Sequence, residues 1–263
     1  MSLHLARWGE GGVPVLLVHG MGAHSHWWDD VAPALAAAGL SPVAVDLRGH
    51  GDSGWRADGV YTTEAFVADV EEARRTLGWE RFHLVGHSLG ARVALEYAAA
   101  HGGRLESLTA IDFLVEGWQG GRGFDRAKAR AQPYYPDEES AVARFRLQPP
   151  GTTLDAAALA RLGRLSVKRA PEGWTWKFDW RCFGVGVGPV WPTLSRIETP
   201  TLIARGTRSA LMDEAALRRA AEALPKGRAA AVAGAHHHVP LDNPKDLARL
   251  LAEFIREARP KSP

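Results

Sequence analysis

Six short apolar runs recur along this chain, each closed by glycine or a polar residue, with helix-like stretches between them. Residues 13–18 (VPVLLV) end at His19-Gly20, 41–45 at Asp46, 82–85 at Gly86, 108–111 at Asp112, 201–204 at Arg205-Gly206, and 229–232 near Gly234. Runs this short that stay apolar throughout read as strands covered on both faces, the environment of a parallel sheet. Helical patterns fill the gaps. Residues 63–77 put Phe66, Val67, Val70 and Leu77 on roughly one face and stop at Gly78; 28–38 stops at Gly39, and 89–100 stops before Gly102-Gly103. The last two patterns are 213–224 and 243–258, the latter carrying Pro244 where the first helical residue belongs. Strands alternating with helices predict an α/β fold with right-handed crossovers, a mostly parallel central sheet and helices on both faces.

The alternation breaks between residues 116 and 192. Here the predicted helical pieces, 138–147 and 154–165, have no strand between them, and five of the ten tryptophans fall between Trp118 and Trp191. The expected organisation is a core built from 1–115 and 193–263, with 116–192 inserted as a helical cap over one edge of the sheet. The glycine-rich stretch 184–188 is followed by Pro189 and no helix, so it does not read as a dinucleotide site.

Composition narrows the partners. Thirty-two Lys+Arg against thirty Asp+Glu leave a formal charge of +2, too balanced for a broad polyanion-binding face, so no nucleic-acid partner is expected. The single cysteine, Cys182, excludes an intrachain disulfide and suits a reducing compartment. No apolar run is long enough to span a bilayer, and residues 1–8 lack a signal core. The expectation is a cytoplasmic protein with a small-molecule substrate and no membrane partner; the sequence leaves its oligomeric state open.

Chemistry concentrates at Gly86-His87-Ser88-Leu89-Gly90, a G-x-S-x-G motif between a predicted strand and a predicted helix. A turn that sharp strains the serine backbone and exposes its hydroxyl, and the flanking glycines let strand and helix approach. The helix N-terminus beneath favours developing negative charge. His19-Gly20-Met21-Gly22, after the first strong strand, can aim the Met21 amide at the same point, with the Leu89 amide as a second oxyanion donor. Asp46-Leu-Arg-Gly-His-Gly-Asp-Ser53 follows the next strand. Ala233-Gly-Ala-His-His-His-Val-Pro-Leu-Asp-Asn-Pro244, between the final strand and the final helix, is where a base reaching the serine belongs.

With these four segments in this order, the chain resembles the α/β-hydrolase superfamily along nearly its whole length. The resemblance implies a serine hydrolase, carboxylesterase-like, forming an acyl-enzyme on Ser88. Val239 matches the apolar residue that follows the family's catalytic histidine by two positions, which assigns the base to His237. The family's commonest acid position falls in Thr207-Arg208-Ser209-Ala210, where Ser209 replaces the expected aspartate. A second family solution, at the end of the strand after the nucleophile helix, gives Asp112. Asp213 is the alternative, though it equally reads as a helix N-cap. A serine nucleophile argues against haloalkane dehalogenase and epoxide hydrolase chemistry, which requires a carboxylate. Hydrolysis of C–C, lactone or amide bonds, perhydrolysis, and a non-catalytic ligand-binding role are the other readings.

Trp27, Trp28, Trp118 and Trp176 are expected to wall an apolar acyl pocket. His24 and His26 are read as polar lining or surface. Arg48, Arg122, Lys177 and Arg181 are possible contacts for a substrate carboxylate. Three consecutive histidines invite a metal reading, but neighbours in an extended loop point alternately, so at most two could share an ion. No metal and no cofactor is expected.

Overall fold

Alternate side chains of the apolar runs enter two separate cores, one on each face of a seven-stranded sheet. The computed structural model describes residues 2–117 and 131–258. Along the chain lie β1 (Leu5–Arg7), β2 (Val13–Val18), α1 (Ala32–Ala37), β3 (Leu40–Val45), α2 (Thr63–Thr76), β4 (Phe82–His87), α3 (Leu89–His101) and β5 (Leu105–Ile111). Next come α4 (Glu138–Val142), α5 (Ala156–Leu165), β6 (Val167–Ala170), β7 (Gly173–Trp176) and α6 (Trp191–Leu194). The chain closes with β8 (Thr201–Gly206), α7 (Glu214–Glu222), β9 (Gly227–Val232), α8 (Val239–Asp242) and α9 (Pro244–Ala258).

The sheet order is β1-β3-β2-β4-β5-β8-β9. All pairings are parallel except the edge strand β1, antiparallel to β3. On one face Leu16, Val18, Val43, Val45, Leu84, Leu108 and Ile203 pack with Phe66 and Val70 of α2, with α3, and with Leu217 of α7. On the other, Val15, Leu17, Ala44, Val85, Ile111 and Ala204 pack with Leu35 of α1 and with Leu247, Leu251 and Ile255 of α9. The period of two in each strand feeds both cores, and the 247-251-255 spacing keeps one stripe of α9 on the sheet. Each fully buried Leu, Ile or Phe contributes about 1.5–3 kcal/mol.

Several boundaries differ from the sequence expectation. Pro33, in the first turn of α1, starts that helix later than position 28, and Ser25–Trp28 forms a separate 3-10 turn. Strand β1 carries too little apolar pattern to be noticed. The segment between β5 and β8 contains a two-stranded antiparallel hairpin, β6-β7, besides the helices α4 and α5. Its partly exposed Lys168, Arg169 and Ala170 mask the strand pattern. Among the described residues no helix is long and apolar enough to cross a membrane.

Candidate active site

In a parallel sheet the loops after successive strands open at one edge, and sites assemble there. Five such loops converge here. Strand β4 passes into α3 through Ser88, whose φ of 55° and ψ of −116° lie in the left-handed half of backbone space. That conformation is costly for a residue with a Cβ and persists only where its surroundings hold it. The Ser88 amide donates to the carbonyl of Ile111 (2.9 Å), and the Ser88 carbonyl accepts from Ala91 and Arg92 at 3.1 and 3.2 Å. A Cβ on Gly86 would overlap the carbonyl of Gly90, and one on Gly90 would overlap that of Val18. Both glycines are therefore required by close approach of strand and helix.

The hydroxyl of Ser88 lies 3.0 Å from Nε2 of His237, and Nδ1 of His237 lies 2.8 Å from Oδ1 of Asp112. Hydrogen bonding of Nδ1–H to the carboxylate leaves Nε2 with its lone pair toward the serine. Asp112 follows β5 and has φ of 46°. Its Oδ1 also accepts from the Ser209 hydroxyl (2.6 Å), and its Oδ2 accepts from the Gly206 amide (2.9 Å). Ser209 thus stands in the loop after β8 as a donor to an acid supplied by the neighbouring strand. Asp213 is elsewhere: it is exposed and caps α7, accepting from the Ala216 amide at 2.7 Å.

Burial governs the charges. His237 is 3 % exposed, and desolvation pushes its imidazole below the ordinary histidine value, with His238 adding repulsion. Burial therefore favours the neutral imidazole at pH 7. Desolvation also raises the Asp112 carboxyl, to about 6, against the opposing hydrogen bonds from Ser209 and Gly206.

Two further histidines brace the loops. Nε2–H of His87 donates to the backbone carbonyl of His237 (2.8 Å) and ties the base's loop to β4. His19 donates from Nδ1 to the Gly20 carbonyl (2.8 Å) and accepts the Leu47 amide at Nε2 (3.0 Å). With its carbonyl held by His19 and by the Ala23 amide, the planar Gly20–Met21 peptide has its N–H turned the opposite way. Gly20 sits against the serine; a Cβ there would be 3.0 Å from that of Ser88. The Leu89 amide, first in α3, lacks an intrahelical acceptor as helix N-terminal amides do. Met21 and Leu89 both line the cavity that contains Ser88 and His237.

That cavity has a volume of about 260 Å³; its other walls include Leu114, Phe183, Val187, Leu211, Gln148 and Arg92. The expected tryptophan walls are corrected. Trp27 and Trp28 are buried in the core on the α1 and α9 side of the sheet, and neither is among the residues that line the cavity. Trp176 packs with Tyr135 and Phe145, and Phe145 meets Trp27, so these rings fasten the segment between β5 and β8 to the core instead. Trp118 and Arg122 lie outside the described residues. His24 is buried and bonded to Ser166 (2.9 Å), while His26 pairs with Asp29. Arg48, Lys177 and Arg181 are each paired with an aspartate, Asp69, Asp52 and Asp179 respectively. Among the described residues Arg92 is the cation at the cavity, and the sequence pattern did not single it out. The available signal was a single basic residue inside the otherwise apolar first two turns of α3, four residues after Ser88.

His87, His237 and His238 each offer one nitrogen within 4.8 Å of the others. Both nitrogens of His237 already face Ser88 and Asp112, and Nε2 of His238 donates to the Pro149 carbonyl (2.8 Å). An ion held by all three rings would have to displace one of the contacts of His237.

The sequence model of the alpha/beta hydrolase fold matches residues 13–244, most of the chain. The protein belongs to the alpha/beta hydrolase fold family. An esterase of Mycobacterium tuberculosis, Rv0045c, is 28% identical over 97% of this chain and 85% of its own length. A fluoroacetate dehalogenase of a Burkholderia species is 40% identical, but over only 40% of this chain and 36% of that relative. The structure of a hypothetical protein, PA1622 of Pseudomonas aeruginosa PAO1, superposes with a TM-score of 0.78 at 28% identity, covering 97% of this chain and 95% of that one.

Proposed function

We propose that this hydrolase-family protein is a serine hydrolase that cleaves small, largely apolar esters or related acyl compounds through an acyl-enzyme on Ser88. The observation that carries the reading is the continuous line from the Ser88 hydroxyl through His237 to Asp112, with contacts of 3.0 and 2.8 Å. His237 takes the Ser88 proton as Oγ attacks the acyl carbonyl. The Met21 and Leu89 amides hold the oxyanion, and His237 returns the proton to the leaving alcohol. Water, deprotonated by the same imidazole, then attacks the acyl-enzyme and frees Ser88. Asp112 fixes the tautomer and stabilises the transient imidazolium.

The cavity walls of Met21, Leu114, Phe183, Val187 and Leu211 suit a short aliphatic acyl group. The similarity to a mycobacterial esterase over nearly the full chain supports ester substrates. The dehalogenase similarity does not extend to the reaction, because position 88 carries a hydroxyl where carbon–halogen displacement requires a carboxylate nucleophile. Short-chain p-nitrophenyl esters and a fluorophosphonate probe test the proposal. The wild-type protein is expected to turn over the esters and take the label at Ser88, and Ser88→Ala to do neither. Equal, slow hydrolysis by both proteins would overturn it.

A further inference from the structure

Arg92 is 4 % exposed, and its Nε and Nη1 have no hydrogen-bond partner among the described residues. Nη2 donates to the Gly188 carbonyl at 2.9 Å. The nearest carboxylate, Glu96, lies 3.8 Å away and is shared: it accepts from the Thr193 hydroxyl (2.7 Å) and stands 3.7 Å from Arg196. Desolvation lowers the Arg92 pKa, opposed chiefly by Glu96. A guanidinium buried with most of its donors unused is costly, and proteins keep such groups only when something compensates them.

The position supplies the compensation. Arg92 lines the Ser88–His237 cavity, where, with His237 neutral, no other described wall residue carries a charge. It follows Ser88 by four residues on α3, one helical turn or about 6 Å along the axis. The guanidinium is held at the Gly188 carbonyl, and Arg92 and Ser88 line the same cavity. We propose that Arg92 receives a carboxylate on the acyl portion of the substrate, which makes this protein selective for esters of short dicarboxylic acids. One end of such a substrate presents the scissile carbonyl to Ser88. A few methylenes cross the apolar walls, and the far carboxylate meets the planar fork of Arg92. Among the described wall residues Arg92 is the one permanent cation, a match for the single charge of a carboxylate. Of the other candidate cations, those within the described residues, Arg48, Lys177 and Arg181, are each paired with an aspartate of their own.

This inference rests on the acyl-enzyme reading, and the experiment separates the two. Proton release is followed at constant pH 7.5 for the monomethyl esters of malonate, succinate, glutarate and adipate. Each is compared with a neutral counterpart in which an isopropyl group replaces the carboxylate. For the best chain length, the wild-type kcat/KM is expected to favour the charged ester by about 10- to 100-fold, the size of a charge-assisted hydrogen bond. Arg92→Gln is expected to bring that ratio to one or below, and Arg92→Lys to keep part of it. Wild-type labelling of Ser88 by the fluorophosphonate is expected to slow in the presence of the matching free dicarboxylate, a readout that needs no variant. A wild-type protein that takes the label yet shows no preference for any charged ester overturns the role of Arg92 alone. A protein that neither takes the label nor cleaves any ester overturns the acyl-enzyme reading as well.

Discussion

The hydroxyl of Ser209 donates to Oδ1 of Asp112 across 2.6 Å, joining the loop after β8 to the end of β5. The same carboxylate oxygen faces Nδ1 of His237. The strand that lacks an acid at its own loop thus contributes a donor to the acid of its neighbour. If Asp112 orients His237, Asp112→Asn should keep the fold and shape but present the wrong tautomer. The expected loss in kcat is about 10,000-fold, as for the equivalent change in a serine-protease triad. Asp213→Asn should leave kcat unchanged and change stability little, because asparagine caps a helix about as well as aspartate. Ester kinetics and denaturant midpoints on both variants check this.

The pH profile follows from burial. Protonating His237 removes the base, so activity falls as pH drops through the folded-state value, which desolvation holds below that of a free histidine. The acid limb of kcat/KM should therefore lie below pH 6.5, with a flat rate from there to pH 8, rather than near neutrality as an unperturbed imidazole would give. Ser209→Ala tests the coupling. The Ser209 bond favours the charged form of Asp112; without it the carboxyl keeps its proton to higher pH, and the acid limb should move upward. An unmoved limb would separate Ser209 from the titrating pair.

The pattern of apolar runs put Ser88, Asp112 and the histidine loop at strand ends, and the resemblance to the α/β-hydrolase superfamily supplied the choice of His237 and Asp112. The cavity walls were not readable in the same way. Clustered tryptophans announce an aromatic core, but sequence spacing does not say which face of a ring meets solvent. Trp27 and Trp28 turned inward because the 3-10 turn that carries them packs into the core, and Trp176 joined Phe145 and Tyr135 in the segment between β5 and β8. Ser209 reads in sequence as a missing acid; its role as a donor exists only once β5 and β8 are adjacent. The β6-β7 hairpin escaped notice because four-residue strands with mixed exposure leave too little of a period-two pattern.

The glycines of the turn should be intolerant for a reason distinct from catalysis. A methyl group on Gly90 meets the backbone carbonyls of Val18 and His19, and one on Gly86 meets Gly90; neither neighbour is a flexible side chain. Backbone must move, so Gly86→Ala and Gly90→Ala should each cost at least about 1–3 kcal/mol, as overpacking does. Gly103→Ala, with open space around it, serves as the control and should be close to neutral. Urea midpoints at constant slope would measure all three.

His19 offers a test of whether the Gly20–Met21 peptide is held for the oxyanion. The imidazole is buried and desolvated, which lowers its pKa, and it uses one nitrogen as donor to Gly20 and the other as acceptor from Leu47. His19→Phe keeps the ring volume but releases both, letting the peptide plane turn. The donor strengthens its bond only as charge builds on the substrate oxygen, so the loss should fall on kcat and leave KM nearly constant. A drop of about 10- to 100-fold is expected, short of the about 100- to 1,000-fold that follows outright deletion of an oxyanion donor. His19→Gln, which can still donate and accept, should recover part of the rate. If His19 only packed the interior, His19→Phe and His19→Gln would change stability and spare kcat, and steady-state kinetics on the two folded variants would show it.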